Sequence, residues 1–129
     1  MNRPYFEVLN MTTEPEMTHD ERLIWSALSG CRGKAMAVTQ YELAQACTMT
    51  PRHVRQVIEQ LIYKHRKPVG STPAKKAGGY FVIDNEDEAK ETADRYRRQA
   101  VKILQRAGVV LQISEREVFE QLQMQLEEL

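Results

Sequence analysis

A stretch near the middle of the chain concentrates side chains that donate hydrogen bonds to anions and to polar ring edges. In TMTPRHVRQVIEQLIYKH, at positions 48–65, the only acidic side chain is Glu59. Arg52, His53 and Gln56 lie within five positions of this stretch. Arginine and glutamine have the reach and donor geometry to meet phosphate oxygens and base edges. The pattern indicates either a surface directed at a polyanion or an ordinary solvated helix face.

Charge is distributed unevenly along the chain. The 129 residues have a net charge of zero, but 51–76 contains seven Lys or Arg and one Glu, a net charge of +6. Acidic groups lie elsewhere, and 113–129 carries five Glu against one Arg. Exposed charges are screened beyond a Debye length of about 8 Å at physiological salt. Binding to an anion would therefore depend on the local field and not on the total charge.

Capping residues mark the helix starts. A Ser, Thr or Asn followed three positions later by Glu allows the two residues to satisfy free backbone N–H groups at a helix start. Thr50 is followed by Pro51, which favours the first position of a helix. Five helices are therefore predicted, the first at about 19–30 and the second at about 40–47. The predicted capping residues are Thr18, Thr39, Thr50, Asn85 and Ser114.

The second and third predicted helices are separated by only three residues, which requires a steep crossing typical of a helix-turn-helix. At 100° per residue, one stripe of the third helix is apolar and is expected to face the core. The segment KAMAV at 34–38 is predicted to be a brief strand, and after Pro68 the segments VGS and YFVI are predicted to pair as a hairpin. The predicted core stripe consists of Val54, Val57, Ile58 and Leu61.

Two segments, VTQYELAQACTMTPRHVRQVIEQL and AGGYFVI, together resemble a winged helix-turn-helix DNA-binding domain of the kind found in the biotin repressor and in small bacterial and phage regulators. The resemblance covers about 19–83. It implies a mainly α fold with a small β-hairpin wing, followed by a long helix and a C-terminal helix. The expected organisation is an N-terminal extension at 1–17, a winged-helix DNA-binding domain at 18–83 and a helical extension at 84–129. Since no effector domain follows the wing, no small-molecule effector is expected.

The resemblance implies roles for individual side chains. The third helix would enter the major groove of double-stranded DNA, where Arg52, His53 and Gln56 would contact base edges. Near the hairpin tip, two lysines would contact phosphates without reading sequence. The expected contacts to the DNA backbone are Thr50, Arg55, Tyr63, Lys75 and Lys76.

The two helices after the hairpin carry apolar residues at three- and four-residue spacings, which predicts stripes that need covering. One arrangement is a homodimer, and the other is that these helices fold back on each other or on the domain. The dimer is preferred because the predicted core is too small to cover both stripes. Basic residues populate the later part of the fourth helix, at 95–106. The expected dimer contacts are Tyr96, Ile103, Phe119, Leu122, Leu126 and Leu129.

No pattern for catalysis is present in the sequence: it has no Gly-rich phosphate loop, GxSxG or HExxH motif. The histidines lie on different predicted elements, so no metal or cofactor is expected. Cys31 and Cys47 are expected to be buried thiols, and without a signal peptide or apolar span the protein is expected in the cytoplasm.

The predicted function is therefore binding of double-stranded DNA without catalysis. A transcription regulator and a phage or plasmid replication accessory protein fit the pattern equally. The alternative from another class is a winged-helix interaction module or adaptor, whose basic face docks an acidic protein and reads no DNA directly.

Overall fold

The computed structural model of the chain describes residues 16–73 and 78–128. Within them the chain is mainly helical with a small two-stranded antiparallel hairpin, which confirms the predicted fold class. The predictions for 1–15, Lys75, Lys76 and Leu129 lie outside the described residues. The elements in chain order are α1 (His19–Ser29), a 3-10 helix (Lys34–Met36), α2 (Gln40–Cys47), α3 (Pro51–Tyr63), β1 (Val69–Thr72), β2 (Gly79–Val82), α4 (Glu86–Leu111) and α5 (Glu115–Glu127). The first compact unit of the chain ends at Thr92 and the second begins at Ala93.

All five predicted helix starts are confirmed. The hydroxyl groups of Thr18 and Thr39 accept from the backbone N–H of Glu21 and Glu42, and each glutamate accepts the threonine N–H in return. These reciprocal bonds satisfy donors that a helix start otherwise leaves unpaired. The other three starts are capped by the side chains of Thr50, Asn85 and Ser114.

Glu88 departs from the reciprocal pattern. Its carboxylate accepts the backbone N–H of Asp84 at 2.9 Å and that of Lys34 at 2.8 Å. The Lys34 contact spans 54 positions of sequence. The start of α4 is therefore fastened to the 3-10 helix.

The core of the first unit lies where α1, α2 and α3 pack against one another and α1 and α3 meet the hairpin. The predicted stripe of α3 is confirmed, since each of its four side chains is at most 2% exposed. Burial of an aliphatic side chain of this size contributes about 1.5–3 kcal/mol. The buried cluster comprises Ile24, Leu28, Leu43, Ala44, Val54, Val57, Ile58, Leu61, Val69 and Val82.

The hairpin pairs Val69 with Val82 at one end and Thr72 with Gly79 at the other. The buried ring of Phe81 crosses its partner Gly70 so closely that a Cβ atom there would lie 2.6 Å from the ring. Gly70 is therefore required by the close approach of the ring.

The prediction of a strand at 34–38 is wrong in its middle. Residues Lys34–Met36 form a 3-10 helix, while the flanks of the segment bridge β2 at Arg32 with Val82 and at Val38 with Tyr80. Gly33, at φ +88°, adopts a conformation that favours glycine and turns the chain away from the strand. Only the residues that flank this 3-10 helix therefore form backbone hydrogen bonds with the free edge of β2.

The second unit contains the later part of α4 and the whole of α5. A Cβ atom at Gly108 would lie 2.9 Å from the carbonyl oxygen of Ile113, so the glycine lets the connecting turn close against α4. Gln112, at φ 57°, makes the reversal. In the described residues α4 and α5 do not pack along their lengths, and Val118 is the buried side chain of α5.

Candidate nucleic-acid interface

The turn between α2 and α3 determines how α3 is presented. Thr48 closes α2 in the left-handed conformation at φ 55°, and the N–H of Met49 returns to the carbonyl of Ala44 at 2.9 Å. The side-chain amide of Gln40, at the start of α2, donates to the carbonyl of Pro51 at 2.8 Å. The first turn of α3 is therefore fixed beside the first turn of α2.

The face of α3 opposite the core stripe is open to solvent. Arg52, Arg55 and Gln56 are exposed, and Tyr63 is 73% exposed. In the part of the chain that the structure describes, neither arginine forms an ion pair. Thr50 lies at the start of this face, where its hydroxyl accepts from the N–H of His53. These predicted contact residues thus lie together on one helix and leave two guanidinium groups unpaired.

His53 is drawn toward α1. Its Nε2 atom lies 2.7 Å from Oδ2 of Asp20, and its side chain is 42% exposed. The hydrogen bond to Asp20 raises the pKa of His53, and the nearby Gln56 amide adds to this rise while partial burial opposes it. The base contact expected of His53 stays a prediction, and it would have to compete with the Asp20 carboxylate.

We expect Asp20→Asn to destabilise the fold more at about pH 5.5 than at about pH 9. Because the folded pKa of His53 is raised, its contribution is fully present below the ordinary histidine pKa of 6.5 and is lost as the pH rises through the raised value. The loss at acid pH should stay below about 1 kcal/mol, since the pair is nearly half exposed. Urea unfolding at both pH values measures it.

The control is the same substitution in a His53→Gln background, where its effect should no longer depend on pH. An equal pH dependence in both backgrounds would assign the titration to another group.

A buried hydrogen-bonded pair lies at the other end of α3. Glu21 of α1 is 1% exposed, and its Oε1 atom lies 2.8 Å from Nε2 of His65, which is also 1% exposed. The same oxygen accepts the Thr18 N–H at 2.9 Å, and the Lys64 ammonium lies 3.9 Å from Oε2. The Thr18 N–H is the main cause of the lowered pKa of Glu21, with His65 and Lys64 adding to it against the opposing effect of burial.

The tautomer of His65 follows from its surroundings. Nδ1 is buried and has no hydrogen-bond partner in the described structure, whereas Nε2 faces the carboxylate. An ionised carboxylate only accepts hydrogen bonds, so the ring nitrogen that faces Glu21 must carry a hydrogen. We therefore assign the proton to Nε2, which donates to Glu21.

Some basic residues of the 51–76 segment are used inside the fold. Lys64 approaches Glu21, and the Lys67 ammonium lies 5.2 Å from the ring centroid of Trp25, a cation–π contact. Arg66, at φ 55°, is exposed. The local charge of +6 counted from sequence therefore does not act on one surface.

The cysteine prediction needs a correction. Cys31 and Cys47 are free thiols of intermediate exposure, where buried thiols were expected. What burial they have raises the pKa of both thiols, so both stay protonated at neutral pH.

Comparisons with protein families, with curated proteins and with solved structures found nothing that matches this chain. None of the helices in the described residues combines the length and apolar composition needed to cross a membrane.

The sequence patterns did not reveal several residues that position the candidate interface. The capping pattern marked Glu21 only as the partner of Thr18 and gave Asp20 no role, although these residues hold His65 and His53. The sequence holds only a weak signal for this pairing. It consists of two adjacent carboxylates in the first turn of α1 and two histidines twelve positions apart, one in α3 and one just after it. Nothing in the sequence marked Gln40 as a residue that positions α3, because its partner is a backbone carbonyl.

Proposed function

We propose that the first unit binds double-stranded DNA as a winged helix, with α3 in the major groove. One observation carries the proposal: α3 buries its apolar stripe completely and turns a face with two unpaired arginines to solvent. Arginines without protein partners keep their donors available for phosphates and base edges. The short α2–α3 turn and the following hairpin agree with this mode of docking.

Residues along the exposed face of α3 reach different depths in the DNA groove. Arg52 and Gln56 lie in the first turns of α3, the part of a recognition helix that meets bases, and Arg52 is suited to a bidentate contact with guanine. Thr50 precedes α3, Arg55 lies beside this face and Tyr63 lies in the last turn, and these three contact the DNA backbone. Lys75 and Lys76, which lie between β1 and β2 in the sequence, add phosphate contacts.

The role of such binding is regulatory or accessory and involves no catalysis. A transcription regulator and a replication accessory protein both need duplex recognition by a compact domain. Neither needs a nucleophile, a metal or a cofactor in the recognition step.

Salt dependence of binding to a mixed-sequence duplex tests the proposal. Neutralising about four to eight phosphates should make log K fall with log salt with a slope near −0.9 per contact. The double variant Arg52→Ala, Arg55→Ala should make the slope shallower by about one to two contacts. Lys90→Ala removes an exposed cation of α4 and serves as the matched control, which should leave the slope unchanged.

A slope near zero, or equal slopes for the double variant and the control, would reject the proposal. Competition by an acidic protein together with a flat slope would favour an interaction module.

A further inference from the structure

The second unit exposes an unusual amount of apolar surface for its size. Val109 and Val110 at the end of α4 are 78% and 80% exposed, and Met124 on α5 is 63% exposed. Isolated exposed apolar residues are ordinary, but a contiguous set marks an interaction surface. In the described part of this unit, the large apolar side chains more than a third exposed are Tyr96, Val101, Ile103, Val109, Val110, Leu111, Phe119, Leu122, Met124 and Leu126.

The unit does not cover this surface itself. The two helices meet at the connecting turn and do not pack along their lengths in the described residues. On α5, Phe119, Leu122 and Leu126 share one side of the helix, yet they are 48%, 37% and 57% exposed. Folding of α4 and α5 back on each other, one of the arrangements weighed above, is thus limited to the turn.

The later part of α4 and the whole of α5 carry opposite charges. Positions 95–106 of α4 contain five Lys or Arg and no acidic residue, whereas 115–128 contains five Glu and one Arg. Two ion pairs in this unit join near neighbours within one helix, Arg97 with Asp94 and Arg116 with Glu120.

The basic helix offers grooves with an apolar floor. Val101 lies in one groove beside Arg97 and Arg98, and Val109 and Val110 lie in the next. Lys102 and Gln105 border both grooves. A valine floor with cationic edges is complementary to an apolar helix face flanked by glutamates.

We propose that the occupant is α5 of a second copy of this chain, and that the exchange is reciprocal. Each copy then places Phe119, Leu122 and Leu126 over the valine floor of its partner, with glutamates such as Glu117 and Glu120 beside the partner's cations. A twofold axis follows from this reciprocity, because each copy then makes the same two contacts with its partner. Two copies together supply twice the apolar side chains of one copy to the interface. A stable interface of ordinary size buries about 1,600 Å² in total.

The arrangement changes which part of α4 is expected to make contact. Val101 and Val109 lie on a different side of the helix from Tyr96 and Ile103, the contacts predicted from the heptad spacing. Tyr96 is 46% exposed and Ile103 is 61% exposed, so that seam remains open for α4 of the same partner.

Sedimentation equilibrium of the full chain without DNA tests the proposal independently of DNA binding. We expect a dimer that Glu117→Arg with Glu120→Arg weakens at least tenfold, as does Arg98→Glu with Lys102→Glu. A mixture of the two variants should restore dimers, since each would then pair opposite charges. All four side chains are exposed, and circular dichroism checks that each variant keeps its helices.

Glu86→Arg is the matched control, because this exposed glutamate of α4 precedes the second unit and should not affect association. A monomeric natural chain at every concentration would overturn the proposal. So would variants that still form dimers separately, or a mixture that stays monomeric.

Discussion

Glu21→Ala should lower the free energy of unfolding by about 3 kcal/mol, the upper end of the cost of leaving a buried donor without its acceptor. The carboxylate is 1% exposed and accepts from both His65 and Thr18. Its removal orphans the buried N–H of His65 and detaches α1 from the end of α3. Urea unfolding followed by circular dichroism at neutral pH measures the loss.

Glu42→Ala is the matched control. Glu42 accepts from the Thr39 N–H as Glu21 does from Thr18, but it is exposed. Loss of the capping bond there should cost about 0.5–1 kcal/mol. Equal losses for the two variants would show that Glu21 acts only as a helix cap.

Glu21→Gln separates the charge from the hydrogen bonds, since its amide oxygen still accepts. Because the folded pKa of Glu21 lies below its ordinary 4.5, the stability from its charge is present above that pH and is lost as the pH falls through the folded value. The difference between the natural chain and Glu21→Gln should therefore shrink in acid.

Arg52→Ala should weaken binding to a preferred duplex by about 1–3 kcal/mol and relax the sequence preference at one position. The guanidinium has no ion-pair partner in the described structure, so its donors need not be withdrawn from the protein to reach a base. Selection of bound sequences from a random duplex pool provides the preferred site. Binding to that site and to a scrambled duplex at fixed salt then measures the change.

Lys75→Ala with Lys76→Ala should weaken both duplexes alike, because phosphate contacts carry no sequence information. Lys90→Ala again controls for the loss of an exposed cation. If the lysine variant altered the sequence choice and Arg52→Ala did not, the division of roles would be wrong.

Local signals predicted the helices and the core stripe well. Each capping residue acts on N–H groups within three positions, so Thr18, Thr39, Thr50, Asn85 and Ser114 reveal helix starts without knowledge of the fold. The stripe of α3 follows from the helical period. The strand expected at 34–38 failed because a left-handed Gly33 and the backbone bonds to Glu88 redirect the chain.

The candidate interface was predicted only in part. Exposure of Arg52, Arg55 and Gln56 follows from their position opposite the apolar stripe. The diversion of His53 to Asp20, of Lys64 to Glu21 and of Lys67 to Trp25 does not. The partners in these three pairs lie 33 to 43 positions apart in the sequence.

By itself the sequence determined where the helices of this protein begin, which side of α3 is apolar and where its charges lie, because these depend on neighbours within one or two helical turns. Only the tertiary structure decided which polar side chains hold α3 in place and which stay exposed to solvent. It also decided that the apolar side chains of α4 and α5 stay exposed within one chain. The physical reason is that a side chain's partners are set by which distant segments the packing of the core brings within hydrogen-bond distance, and no local pattern encodes that choice.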